Sequence, residues 1–242
     1  KYGTPIALML LPYFCPGHGT MEGLLFESSL TTPFHFLMQS EVSEAPSRAV
    51  SGLRYYGLNM GRAVPHMTLY GINHYISYTE AGANAAAEYG LEQVTETGPF
   101  KVFALPETSL VEIASYQPAV WAGEQPFFEA AQDYFDDVDR LARWVTADGP
   151  ADWPRVEAIL PGDPRPTIAA EGEVSDIVLE PHRISFHTTA VGVPHLVKVS
   201  YFPNWKATGA EGPYLAAPSL MLVVPTSEDV VLEFSNTLPE YL

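Results

Sequence analysis

An alternating strand that runs into a proline limits this chain more than any other feature. Across residues 196–202, Val197, Val199 and Tyr201 fall on one face while Lys198 and Ser200 fall on the other, the period-two pattern of a half-buried strand. Pro203 ends it, because proline has no N–H to give a ladder and sits only at an edge, a bulge or a strand end. Asn204 and Trp205 are thereby placed at a bend. There an indole covers the open end of a core while its N–H finds a polar partner. The same residues also read as a sugar platform, since aromatic faces stack on sugar C–H groups and an amide reads hydroxyls. Tyr201, Asn204 and Trp205 would line a shallow cleft, and Tyr214, in the Gly- and Pro-rich stretch 209–218 read as a loop, would close over it. Residues 220–224 and 230–234, joined through 225–229, read as two strands across a connection of hairpin length.

Prolines elsewhere extend this argument. With 22 Pro and 18 Gly in 242 residues, long uninterrupted elements are few, which suits a β-rich fold with substantial loops. An apolar share of 47% supports a buried core, in one large domain or two small ones. The net charge of -17 argues against nucleic-acid phosphates or an anionic lipid surface as direct partner, because both need clustered Lys and Arg and only twelve are spread through the chain. Cys15 is the sole cysteine, which removes a disulfide framework and the usual zinc spacings. No apolar run reaches the roughly 18–20 residues of a membrane span. Starting at Lys1 without a Met or a signal-peptide pattern, the sequence reads as a processed or excised piece of something longer.

Along the chain, residues 6–14 form an apolar strand or helix end. A short helix follows at 33–42, with Phe34, Leu37 and Met38 on one face, and 43–61 is polar, with Tyr55 and Tyr56 as its bulky anchors. A strand at 73–78, a helix at 80–89 capped by Thr79 and stopped by Gly90, and a strand at 100–105 suggest a small α/β layer. Strands broken at Pro118 occupy 110–121. Residues 124–145 read as the longest amphipathic helix, with Asp136–Arg140 and Asp139–Arg143 as i, i+4 pairs. A Pro-, Gly- and Asp-rich linker spans 151–173. Strands at 174–180 and 183–189 flank Pro181, with Ile184 and Phe186 pointing in.

The common reaction motifs for phosphate, dinucleotide, metalloprotease or serine-hydrolase chemistry are absent. Glu22 and Glu27, close in sequence to His35, are the candidate carboxylate pair for glycoside hydrolysis. The competing reading makes Glu22 a cap and His35 a hydrogen-bonded structural histidine. Asp133, Asp136, Asp137 and Asp139 fan round a helix, which describes a solvated face rather than a cation site. No cofactor is expected; the one cation site the loops permit is a structural calcium on Asp163, Glu171, Glu173 and Asp176.

Several motifs in order resemble a known family. Pro12-Tyr13-Phe14, Met21-Glu22-Gly23-Leu24-Leu25-Phe26-Glu27-Ser28-Ser29, Thr31 to Leu37, Val199 to Trp205, and Pro218 to Pro225 resemble the large extracytoplasmic domain of actinobacterial polytopic membrane proteins. That family is named 6-pyruvoyl-tetrahydropterin synthase-related or GT-C-like membrane glycosyltransferase. The zinc-binding histidines of the pterin enzyme are not recognisable here. The resemblance implies sugar transfer from a polyprenyl-phosphate donor outside the membrane, with the catalytic acid on a loop this chain lacks. It also implies that the strand at 230–234 leads back into a membrane helix through 236–242.

The expected fold is α+β: a small α/β portion at residues 1–150, the linker, and a jelly-roll-like antiparallel β-sandwich at 174–242. The expected role is that of an accessory extracytoplasmic domain, attached to the transmembrane portion of the same polypeptide, that binds or positions a cell-envelope glycan or a lipid-linked sugar. One alternative is a stand-alone glycoside hydrolase using Glu22 and Glu27. Another is a purely structural or protein-interaction module.

Overall fold

The computed structural model describes residues 10–15, 19–21, 29–159, 165–169 and 171–235. Its N-terminal part forms α1 (Leu11–Phe14), α2 (Thr32–Val42), α3 (Met60–Leu69), β1 (His74–Ser77), α4 (Glu80–Tyr89), β2 (Gln93–Thr97) and β3 (Phe100–Ala104). Next come β4 (Val111–Ile113), β5 (Ala119–Trp121), α5 (Phe127–Asp136), β6 (Val145–Thr146) and β7 (Arg155–Val156). The remainder is strand: β8 (Val174–Glu180), β9 (Arg183–Thr188), β10 (His195–Ser200), β11 (Trp205–Thr208), β12 (Ala210–Ala216), β13 (Leu220–Pro225) and β14 (Asp229–Phe234).

The class is α+β, as the patterning predicts. Local signals account for the helix ends. Pro33 stands in the first turn of α2, the Asn59 side chain accepts Arg62 N–H ahead of α3, and Thr79 accepts Gly82 N–H ahead of α4. Gly90, at φ 95°, supplies the left-handed stop of α4. Helix α3 begins at the end of the stretch read as polar and runs through residues to which the sequence patterning assigns no element. Pro65 inside it disguises the period, yet Met60, Ala63, Val64 and Met67 are buried on its inner face. The expected strand, helix, strand layer is an antiparallel sheet of order β1-β3-β2, because α4 returns the chain to β2 rather than to a parallel partner.

A seven-stranded sheet of order β4-β10-β13-β12-β6-β5-β7 forms the centre, and a four-stranded sheet of order β11-β14-β9-β8 covers one face. Val111, Val197, Met221 and Val223 meet Ile184, Phe186, Trp205, Val230 and Leu232 between the two sheets. The other face of the large sheet presents Leu196, Leu220, Leu222 and Val145 to a core that includes Phe34, Val64, Met67 and Phe135 from the helices. Strands β10 and β13 are therefore buried on both faces, where a half-buried strand was expected. Even Lys198 is interior. Its ammonium is 2.9 Å from the Thr68 carbonyl oxygen and 2.9 Å from Glu112, and it also meets the Thr108 hydroxyl.

This sheet crosses the expected boundary. Strands β4 to β6, before the expected linker, and β7, inside it, hydrogen-bond within the same sheet as β10, β12 and β13, and one core holds residues from Phe34 to Leu222. The parallel pairs β5–β6 and β5–β7 make the sheet mixed rather than purely antiparallel.

Two further expectations change. The long helix at 124–145 is α5 alone, followed by a 3-10 turn at Val138–Arg140 and then by β6. Asp137 ends it: its side chain accepts Asp139 N–H and pairs with Arg140 at 2.8 Å, while Asp136 is drawn off to Arg54 and Arg62. The expected hairpin of residues 220–224 and 230–234 is a crossover between sheets, since β13 pairs with β10 and β12 while β14 pairs with β9 and β11. The reason lies at Gly209. The chain passes there from β11 in one sheet to β12 in the other at φ 77°, and the Gly209 carbonyl accepts Thr226 and Ser227 N–H. A Cβ at Gly209 would lie 2.6 Å from Ser227 Oγ and within contact distance of the Asp229 carbonyl oxygen, so the two corners pack too closely for any side chain.

Candidate functional site

The platform expected at the 203–205 bend is closed. Trp205 is 7% exposed and Asn204 5%, so neither offers the open face that stacking on a sugar requires. Trp205 sits in the inter-sheet core edge-on to Phe234, at 5.4 Å between ring centroids, and Asn204 Nδ2 donates to the Ser235 carbonyl. Tyr214 is not in a loop. It lies on β12 opposite Leu222, packed beside Trp153 in the other core, so it does not close over Trp205. Tyr201 packs at the margin of the inter-sheet core. Burial raises the phenol pKa of Tyr201 and of Tyr214, with Asp148 adding to both and Glu211 to Tyr214.

Of the expected carboxylate pair, Glu22 and Glu27 lie outside the described residues. His35 is buried within α2, edge-on to Phe36. For the calcium reading, Asp163 also lies outside the described residues. Among the described residues, no group of three or more His, Cys, Asp and Glu is placed to hold a metal ion.

Two polar regions emerge that the sequence did not single out. The first joins α2, α3 and α5. Glu41 is 1% exposed; its carboxylate accepts from Arg62 Nε at 2.9 Å and lies 2.6 Å from His66 Nδ1. His66 Nε2 lies 2.7 Å from the Phe135 carbonyl oxygen, which can only accept, so Nε2 carries a hydrogen. The Glu41–His66 contact then holds one shared proton. The imidazole stacks on Phe135 at 3.6 Å. Arg62 continues to Asp136, and Arg54 bridges Asp136 and Asp133, so these aspartates are ion-paired rather than a freely solvated face. Both nitrogens of His66 are engaged and the space beside Arg62 is about 10 Å³, room for about one water. This arrangement ties α2, α3 and α5 together through Glu41, Arg62, His66 and Asp136.

The second region is an open groove of about 610 Å³ lined by Trp121, Gly123, Glu124, Gln125, Asp133 and Glu157, among others. Its position follows from strand direction. Because β5 and β7 run parallel, with Val120 beside Arg155 and Trp121 beside Val156, their following loops leave at the same end, where Ala122 N–H donates to the Val156 carbonyl. Carboxyl ends of parallel strands are where open α/β sheets form binding crevices. The loop after β5 then enters α5, which brings Asp133 to the same place. Trp121 is held there by its indole N–H, which donates to the Gln125 carbonyl at 2.9 Å. Its ring lies so close over Gly123 that a Cβ would be 2.7 Å from Cη2. Gln125 Nε2 donates to Asp133 at 3.3 Å. Glu124 and Glu157 are exposed on opposite loops.

The signal for this groove was present but local: Trp121-Ala122-Gly123-Glu124-Gln125 places an indole, a small residue and two polar side chains in one turn. Glu157 comes from 36 positions onward in sequence, and no periodicity links it to Trp121. No family model matches the chain, and no curated protein or solved structure is significantly similar to it.

Proposed function

We propose that this chain is an extracytoplasmic accessory domain of a GT-C-like multi-pass membrane protein, in which the Trp121 groove receives a saccharide of the cell envelope or of a lipid-linked donor. The observation that carries the reading is the groove itself: a partly exposed, anchored indole beside carboxylates and an amide, at the open end of two parallel strands. Carboxylates accept sugar hydroxyls in pairs and an indole stacks on the C–H face, so these residue types suit a polyhydroxy ligand. The transmembrane portion of the same polypeptide is the other partner in this reading. No described helix is long and apolar enough to cross a membrane.

Co-sedimentation of the chain with isolated insoluble cell-envelope polysaccharide tests this. Wild type is expected in the pellet, Trp121→Phe largely retained there, and Trp121→Ala in the supernatant with an unchanged circular dichroism spectrum. Equal pelleting of Trp121→Ala and wild type would remove the groove from the function. A wild-type chain that stays in the supernatant would remove the glycan.

A further inference from the structure

We infer that the groove selects saccharides bearing a free amine and rejects those bearing phosphate or carboxylate; this rests on the glycan reading above and names the ligand class. The charges in the groove are of unequal standing. Asp133 is already compensated, one oxygen accepting from Arg54 at 2.8 Å and the other from Gln125. Glu124 and Glu157 are not. They project from the loops after β5 and β7, both exposed, and neither has an ion-pair partner among the described residues. No Lys or Arg is among the described residues that line the groove. The indole N–H is spent on the Gln125 carbonyl and the Gln125 amide donates to Asp133, so both side-chain donor groups of the groove are already engaged within the protein.

What remains is a partly exposed indole flanked by two uncompensated carboxylates from different loops, on a chain of net charge -17. An ammonium on a sugar ring seated against Trp121 meets attraction from both loops and cation–π stabilisation from the indole. A phosphate or uronate meets repulsion from both. The site thus fits the sugar part of a lipid-linked donor and disfavours its phosphate. Because both glutamates are exposed, the discrimination amounts to about fivefold in affinity and weakens with added salt.

The test follows the Trp121 indole N–H signal in the nitrogen-15-labelled chain at low ionic strength. The probes are a β-1,4-linked glucosamine trimer, its N-acetylated counterpart, a glucuronate-containing trisaccharide and 1,4-diaminobutane. The glucosamine trimer is expected to shift the signal with about fivefold higher affinity than the acetylated one, and the glucuronate probe to leave it in place. The Glu124→Gln/Glu157→Gln double variant, which alters only exposed side chains, is expected to bind both neutral and amine trimers alike. Equal affinities in wild type, or a preference that survives in the double variant, would overturn the selectivity while leaving the glycan reading intact. A response to the diamine with none to any saccharide would keep cation selectivity and overturn the glycan reading. Silence from all four probes overturns both.

Discussion

On the side of the seven-stranded sheet that meets β8, β9, β11 and β14, the packed residues are Val, Ile, Leu, Met, Phe and Trp, and the buried His195 is held as a hydrogen-bonded imidazole. On the side that meets the helices, a string of charges runs from the apolar core to the surface through Glu41, Arg62, Asp136 and Arg54, with His66 at its buried end. Side-chain period alone seals the first interface, whatever the exact partners. The second needs specific partners, because a buried carboxylate is tolerated only while its hydrogen bonds are complete. Two faces of one sheet therefore differ in how they fail: the sandwich loses stability in proportion to volume removed, and the helical side loses it abruptly when one charge is left alone.

The sharpest break of this comparison is Glu41→Ala against Ile184→Val. The first removes the buried carboxylate that both Arg62 Nε and His66 Nδ1 contact, and is expected to cost about 3–5 kcal/mol in urea unfolding. The second removes one methyl from the inter-sheet core and is expected to cost about 1 kcal/mol. Equal costs would mean that the charged string contributes no more than ordinary packing.

A smaller effect separates the faces by pH. Burial lowers the pKa of His195 below the ordinary histidine value, in spite of the Val193 carbonyl that its Nδ1–H donates to, and its Nε2 accepts from the Thr188 hydroxyl. The unfolded chain then binds this proton more readily than the folded one. His195 therefore costs nothing above about pH 6.5, and stability falls as pH drops from there toward its lower folded value. Melting temperatures of wild type and His195→Gln, compared across this range, are expected to show a steeper acid-side decline in wild type. His187 works in the other sense, its pKa raised by the hydrogen bond to Asp229, so the difference between the two proteins is the quantity to read. Parallel curves would show that His195 takes up its proton equally in the folded and the unfolded chain.

Arg54→Ala gives the smallest effect. Its guanidinium is 64% exposed at the outer end of the charged string, and its two ion pairs are expected to contribute about 0–1 kcal/mol in all. A loss approaching that of Glu41→Ala would show that the string acts as one unit from surface to core.

Residues whose role is local were legible in the sequence. Thr79 and Gly90 bracket α4 because a cap and a left-handed stop depend only on neighbours within a few positions. Ile184 and Phe186 point inward because strand period decides it, whereas β10 ends at Ser200, ahead of the Pro203 expected to stop it. What the chain does between such points depends on distant groups. Helix α5 stops at Asp136 because Arg54 and Arg62 claim that carboxylate, and Trp205 turns into the core because a second sheet covers it. The 220–234 hairpin opens into a crossover because Gly209 brings another corner against it. The groove belongs to the same class: Trp121 and Glu157 meet only because β5 and β7 run parallel. Strand direction is set by pairing across the sheet, which minimises buried unpaired backbone over the whole fold, and no short stretch of sequence carries that information.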